Sequence, residues 1–210
     1  MKFNTLVLAS AIALPVQQAE NWQLLEYNRL NANEVSFTRE GMSVTVDQSA
    51  SPTIYPFDEP KTVSRVSVTG NLSNLLKVTA DTQGKPNNDD FSLKVGLVIA
   101  GDKTLNPLQK IFSAKWVKTL FELAPEGAGI EQIYFLNAVQ HRNLLGQQRH
   151  HPLSELIYEN NVWLLDKAGD FSFTYELEDP QKVIAIWLSI DGDDTRSRYT
   201  ITISSLILEN

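Results

Sequence analysis

The sequence predicts an all-β protein, a two-sheet β-sandwich with one inserted amphipathic helix at residues 106–123. Short runs of alternating or β-branched residues fill most of the chain, turn signals separate them, and a single stretch shows helical spacing. Of the 210 residues, 42% are hydrophobic and 20% charged. That balance suits a globular chain and argues against a disordered or fibrous one.

Residues 1–19 read as an export leader. Lys2 is a minimal basic start, residues 5–14 (TLVLASAIAL) form an apolar run, Pro15 breaks it, and Ala19 is the expected cleavage point before Glu20. The run is too short to cross a bilayer as a helix. The competing reading is a buried N-terminal helix. On the first reading the mature protein is one domain, residues 20–210, periplasmic or secreted from a bacterium. The chain has no cysteine, so core burial rather than disulfides must stabilise it.

Residues 34–38 (EVSFT) and 42–47 (MSVTVD) alternate around Glu40-Gly41 and predict a hairpin. Residues 63–69 and 75–80 are strands by their β-branched content. Residues 91–100 (FSLKVGLVIA) end in a continuous apolar run, predicting a strand buried on both faces, with Gly96 marking a bulge or a close backbone approach. Asn106-Pro107 then opens the helix; Leu108, Ile111, Phe112, Trp116, Leu120 and Leu123 share one side, Lys110, Lys115 and Lys118 point elsewhere, and Pro125 and Gly127 end it. Its apolar stripe is expected to cover a sheet, with Trp116 as packing.

Residues 130–139 return to strand, and 143–152 read as an exposed polar loop. Residues 156–158 and 162–165 read as two short strands around the polar triplet Glu159-Asn160-Asn161. Three further strands, 171–177, 183–190 and 199–208, are separated by turns at Asp179-Pro180 and Asp191-Gly192.

Three segments, in order, resemble uncharacterised exported bacterial proteins of the DUF3047 type, which have a galactose-binding-like jelly roll. They are Ser49-Ala50-Ser51-Pro52, Asp90-Phe91-Ser92-Leu93-Lys94-Val95, and residues 184–208, where a strand runs into Asp191-Gly192-Asp193-Asp194-Thr195 before the strand led by Tyr199. The resemblance implies a jelly-roll-like sandwich. It covers a minor part of the chain and brings no catalytic residues with it.

The net charge of -7 disfavours nucleic acid or an anionic membrane surface as partner. No nucleophile elbow, phosphate-cradling loop or dinucleotide fingerprint is present. Asp191, Asp193 and Asp194 are the candidate metal or polar-contact residues, because closely spaced carboxylates beside a glycine are the oxygen set calcium takes. The same residues also make an ordinary polar turn, and Arg196 and Arg198 are at hand to pair them. His141, His150 and His151 cluster with Arg142 and Arg149, but their spacing matches no metal motif. Arg149 and His150 are candidates for an anion-facing edge, and Trp163 and Tyr158 for stacking on a sugar ring. The expected function is non-catalytic binding of a carbohydrate or similar polar ligand. An exported polysaccharide-acting hydrolase using a carboxylate pair and a structural envelope protein are the alternatives.

Overall fold

Two very long strands organise the molecule. The computed structural model describes residues 10–125, 128–152 and 154–210, apart from the side chains of Lys110 and Phe112. Lys2, residues 5–9 of the expected leader and Gly127 lie outside the described residues. Strand β1 spans Ala11–Ala13, β2 Gln23–Leu24, β3 Glu34–Thr38, β4 Gly41–Asp47, β5 Thr53–Leu72 and β6 Lys94–Gly101. Helices α1 (Pro107–Phe112) and α2 (Lys115–Glu122) follow, then β7 Gly129–Val139, β8 Gln148–His151, β9 Ser154–Leu164, β10 Gly169–Ser189 and β11 Arg198–Glu209. The hydrogen-bonded order is β3-β4-β11-β5-β10-β6-β7-β9-β8, with β1 on β11 and β2 on β5.

Strands β5 and β10 pair along both halves, and their register slips between Glu176 and Gln181. A slip of this kind bends a strand. Beyond it, the first half of β10 stays beside the β11-bound half of β5, while the second half pairs with β6. One continuous sheet therefore folds over on itself into two layers. The first layer holds β3, β4, β11 and the adjoining halves of β5 and β10; the second holds the other halves with β6, β7, β9 and β8. The fold class is the expected one, an all-β jelly-roll-like sandwich.

The core between the layers is built by alternation. Met42, Val44 and Val46 of β4, and Tyr199, Ile201 and Ile203 of β11, meet Val95, Leu97 and Ile99 of β6 and Ile186 and Leu188 of β10 in one buried cluster. Each fully buried aliphatic side chain contributes about 1.5–3 kcal/mol. The β3–β4 turn needs Gly41, whose φ is +134° and where a Cβ would strike the Ile203 carbonyl. As expected, β6 is buried on both faces: Val98 belongs to a second cluster with Leu25, Ile54, Ile133, Phe135, Trp187 and Leu120 of α2.

Several expectations are corrected. The predicted helix is two, because Ser113 and Ala114 are extended (ψ 150° and 154°). The break turns Leu120 into the sheet and leaves Leu108 and Ile111 of α1 67% and 66% exposed. Asn106 and Gln109 cap α1 reciprocally, as its start signal implies. Residues 75–80 form no strand, since the Gln140 side chain takes the place of a partner: Leu76 N–H donates to its Oε1 (2.7 Å) and its Nε2 donates to the Leu76 carbonyl (3.0 Å). The expected loop at 143–152 contains β8, and the two short strands expected around Glu159-Asn160-Asn161 are one strand, β9, with that triplet in its interior.

Residues 11–16, inside the expected leader, are part of the sheet and core. Strand β1 pairs with β11, and Leu14 and Val16 are buried in the inter-layer cluster. Residues 11–14, the last of the apolar run, thus have a structural use in the fold. Among the described residues no helix is long and apolar enough to cross a membrane.

Candidate functional site

The outer face of the second layer carries an open cleft of about 690 Å³, and strand register lays out its floor. One row runs across the sheet as Ala185, Val98, Ile133 and Ile157. The next runs Ile54, Trp187, Gly96, Phe135, Glu159 and Arg149. The third is polar: Ser189, Lys94, Asn137 and Asn161. A Cβ on Gly96 would meet the Phe135 ring at 2.6 Å and Ile133 at 2.8 Å. The missing side chain is what lets Phe135 and Ile133 close over the strand, the close approach its position suggests.

Around this floor stand Tyr27, half-buried Trp116 at the start of α2, and the loop carrying Asp191, Asp193 and Asp194. That loop is tied down. Asp191 and Ala50 form an isolated bridge, the Tyr199 hydroxyl donates to the Asp191 carbonyl at 2.8 Å, and Thr195 donates through N–H (2.7 Å) and Oγ (2.6 Å) to the Asp90 carboxylate.

A buried ion network forms the polar end of the cleft. Lys94, 8% exposed, places its ammonium 3.0 Å from Asp191 and 3.8 Å from Glu159, over the rings of Phe91 and Phe135. Arg149 continues the chain: Nε lies 2.6 Å from Glu159, one terminal nitrogen 2.5 Å from Asp89, and the other donates to the Gly84 carbonyl. His151 approaches Asp89 at 3.4 Å. Burial alone would lower Lys94, but Asp191, Glu159 and Asp89 outweigh it and hold the ammonium above its ordinary value. Burial also pushes Asp89 up; His151, Lys94 and Arg149 reverse the sign and leave it below the carboxylate norm. Among the described residues Asp193 has no ion pair of this kind. Burial, then Asp90 and Asp191, raise it from 3.8 to about 6.

The residues singled out in the sequence part company here. Asp191, Asp193 and Asp194 do line the cleft. Asp191 is engaged by Lys94 and by the Ser189 hydroxyl (2.9 Å), and Asp194 accepts from the Asp89 amide (3.0 Å). Among the described residues no three carboxylate or imidazole groups are arranged to hold a metal ion. Arg149 sits behind the cleft with its guanidinium committed to Glu159, Asp89 and Gly84. His150, its neighbour on β8, points to the opposite face and meets Tyr158 edge-on at 5.0 Å. Trp163 is 4% exposed, stacks on Phe173 at 5.5 Å and donates to the Thr174 carbonyl, so it packs one layer against the other.

Sequence reasoning passed over Lys94, Glu159, Phe135 and Tyr27. The available signals were a lysine opening an otherwise apolar strand and a polar triplet between two apolar ones.

No family model matches the chain, and no curated protein matches it. Solved structures with a similar course of chain include the xylan-binding module CBM15, at 12% identity and TM-score 0.41, covering 95% of each chain. A family 11 carbohydrate-binding module from Clostridium thermocellum, in complex with a β-1,3-1,4-mixed-linked tetrasaccharide, has 10% identity, TM-score 0.39 and 94% coverage of each chain. The VIP36 exoplasmic/lumenal domain in its Ca2+/Man-bound form has 9% identity and TM-score 0.37, covering 94% of this chain and 88% of that one.

Proposed function

We propose that the chain is a non-catalytic carbohydrate-binding β-sandwich that takes a neutral sugar chain in the outer cleft of its second layer. One observation supports this above others: the half-buried rings of Trp116 and Tyr27 stand over an apolar floor of Ile133, Phe135 and Trp187 (1–3% exposed) and adjoin a wall of fixed carboxylates and an ammonium in one open cleft. A sugar ring has the matching duality, a C–H face that packs on aromatic carbon and a rim of hydroxyls that donate to carboxylates. Carboxylates outnumber cations in the lining, with Glu26, Asp89, Asp90, Asp191, Asp193 and Asp194 against Arg29, Lys94 and Lys115, so a uronate-rich chain would be disfavoured.

Affinity electrophoresis and titration calorimetry against xylan, mixed-linkage β-glucan, mannan and polygalacturonate test the reading. At least one neutral polymer should bind, polygalacturonate should not, and Trp116→Ala should weaken binding roughly tenfold. Binding of the acidic polymer alone, or of none, would remove the proposal.

A second reading has one observation in its favour. Asp193, raised to about 6, lines the same cleft as Asp191, which Lys94 holds in an ion pair; a carboxyl raised toward neutrality near a second carboxyl in a different environment is the pairing a glycoside hydrolase uses. Release of reducing ends from a bound polymer, abolished in Asp193→Asn, would favour it. Binding with no such release supports the non-catalytic reading.

A further inference from the structure

Strand β9 buries two polar residues back to back. Glu159 belongs to the ion network on the outer face; Asn160, 3% exposed, belongs to the inner one. An amide in that position is costly unless it is bonded. Its Nδ2 donates to the hydroxyl of Tyr134 (2.8 Å) on β7 and to that of Tyr175 (3.1 Å) on β10. Asn160 thus fixes a tyrosine platform. Register places Tyr134 beside Tyr158 and Tyr158 beside His150. The two tyrosine rings lie 5.6 Å apart and tilted by 30°, and the Tyr158 hydroxyl donates to Gln148 Oε1 at 2.7 Å.

In front of this platform, where β10 bends from one layer to the other, is a separate hollow of about 230 Å³ lined by Tyr134, Tyr158, Gln132, Gln148, Leu177 and Gln181. We propose that this tyrosine–glutamine hollow is a second carbohydrate subsite, taking a single neutral sugar ring on the face of the second layer opposite the cleft. Tyrosine rings present apolar area at a fixed angle with little side-chain entropy to lose. Glutamine amides both donate and accept, as sugar hydroxyls do. Gln148 commits its carbonyl to Tyr158, and Gln181 donates to the Asp179 carbonyl (3.1 Å), so between them the pair offers a donor and an acceptor. Glu178 and Asp179 at the rim disfavour a carboxylated sugar. The volume is below the ~300–1,000 Å³ of most small-molecule sites, which suits one ring rather than a chain. The proposal stands apart from the cleft: other residues, on the other face, carry it.

Nuclear magnetic resonance titration of the full chain with the methyl β-glycosides of glucose, galactose and xylose tests it. The side-chain amide signals of Gln132, Gln148 and Gln181 should shift saturably with at least one glycoside. Tyr158→Ala should weaken that response roughly tenfold, and Trp116→Ala should leave it unchanged. Gln148→Ala, at an exposed position, should weaken it about threefold and serves where Tyr158→Ala does not fold. Absence of any glutamine response, or one unaltered by Tyr158→Ala or Gln148→Ala in folded protein, overturns the proposal. Shifts confined to the cleft sink the subsite alone; the cleft reading stands or falls separately, on the polymer titrations.

Discussion

The two layers share a core but present very different outer faces. On the first layer the outward residues are small and hydroxylated, and they bond sideways across the strands: Ser67 with Thr174 at 3.0 Å, Thr69 with Ser204 at 3.1 Å, Thr45 with Thr200 at 3.3 Å. Its ion pairs, Arg65 with Glu176 and Arg198 with Asp47, are exposed. On the second layer the outward residues include Ile133, Phe135 and Trp187, and charges lie buried among them. A sandwich needs only one apolar face per sheet. The hydroxyl face meets that requirement at little cost; on the other face α2 and Leu25 cover a second apolar cluster, and it is the buried charges beside that cluster that exceed the requirement. Recognition is to be sought where side chains are more demanding than folding requires.

That contrast can be broken by mutation. The largest effect should come from the margin of the first layer. Removing residues 1–19 deletes β1 and the buried Leu14 and Val16, for a loss of roughly 3–6 kcal/mol as an upper bound in urea unfolding. A truncated chain as stable as the full one would make this segment dispensable, as a cleaved leader is.

Next comes Lys94→Met, which strands Asp191 in a buried site and leaves Glu159 to Arg149 alone, and should destabilise by about 3–5 kcal/mol. Arg65→Met, on the exposed first-layer face, should leave the unfolding midpoint unchanged within error. Equal effects from the two would erase the distinction between the layers. In binding, the Trp116→Ala loss should have no counterpart in the double variant Thr69→Val with Thr202→Val, whose affinity for the same polymer should equal that of the parent.

The smallest effect concerns pH. Asp193 has a raised carboxyl in the fold, so the protonated form is favoured there. Its ionisation subtracts stability as pH rises between 3.8 and about 6, and the penalty is absent below that window. Solvent screening at this half-exposed group keeps the change modest. Subtracting the unfolding profile of Asp193→Asn from that of the parent should reveal a fall in this window; a flat or rising difference would show that the carboxyl is not raised.

Much of the fold was legible in local pattern. The hairpin of β3 and β4, the doubly buried β6 and the alternation of β11 all follow from residues next to one another in sequence. The long strands were not, because Asp179-Pro180 is chemically a turn and serves here as the bend that carries β10 from one layer to the other. The site was harder still. Glu159 and Asn160 look like turn residues, since their reasons for burial (Lys94 and Arg149 for one, Tyr134 and Tyr175 for the other) lie on other strands. Trp163 lies close behind the polar Glu159-Asn160-Asn161 in sequence but stacks on Phe173 in space. The Asp191–Asp194 loop could be singled out from composition; what surrounds it could not.

Hydrogen–deuterium exchange with and without a saturating soluble neutral polysaccharide addresses the central claim, that recognition belongs to the outer face of the second layer. The account predicts new protection in residues 26–30, 114–116 and 191–195, with the strands under the serine and threonine face unchanged. Protection centred on residues 43–45, 67–71 and 200–204 would contradict it.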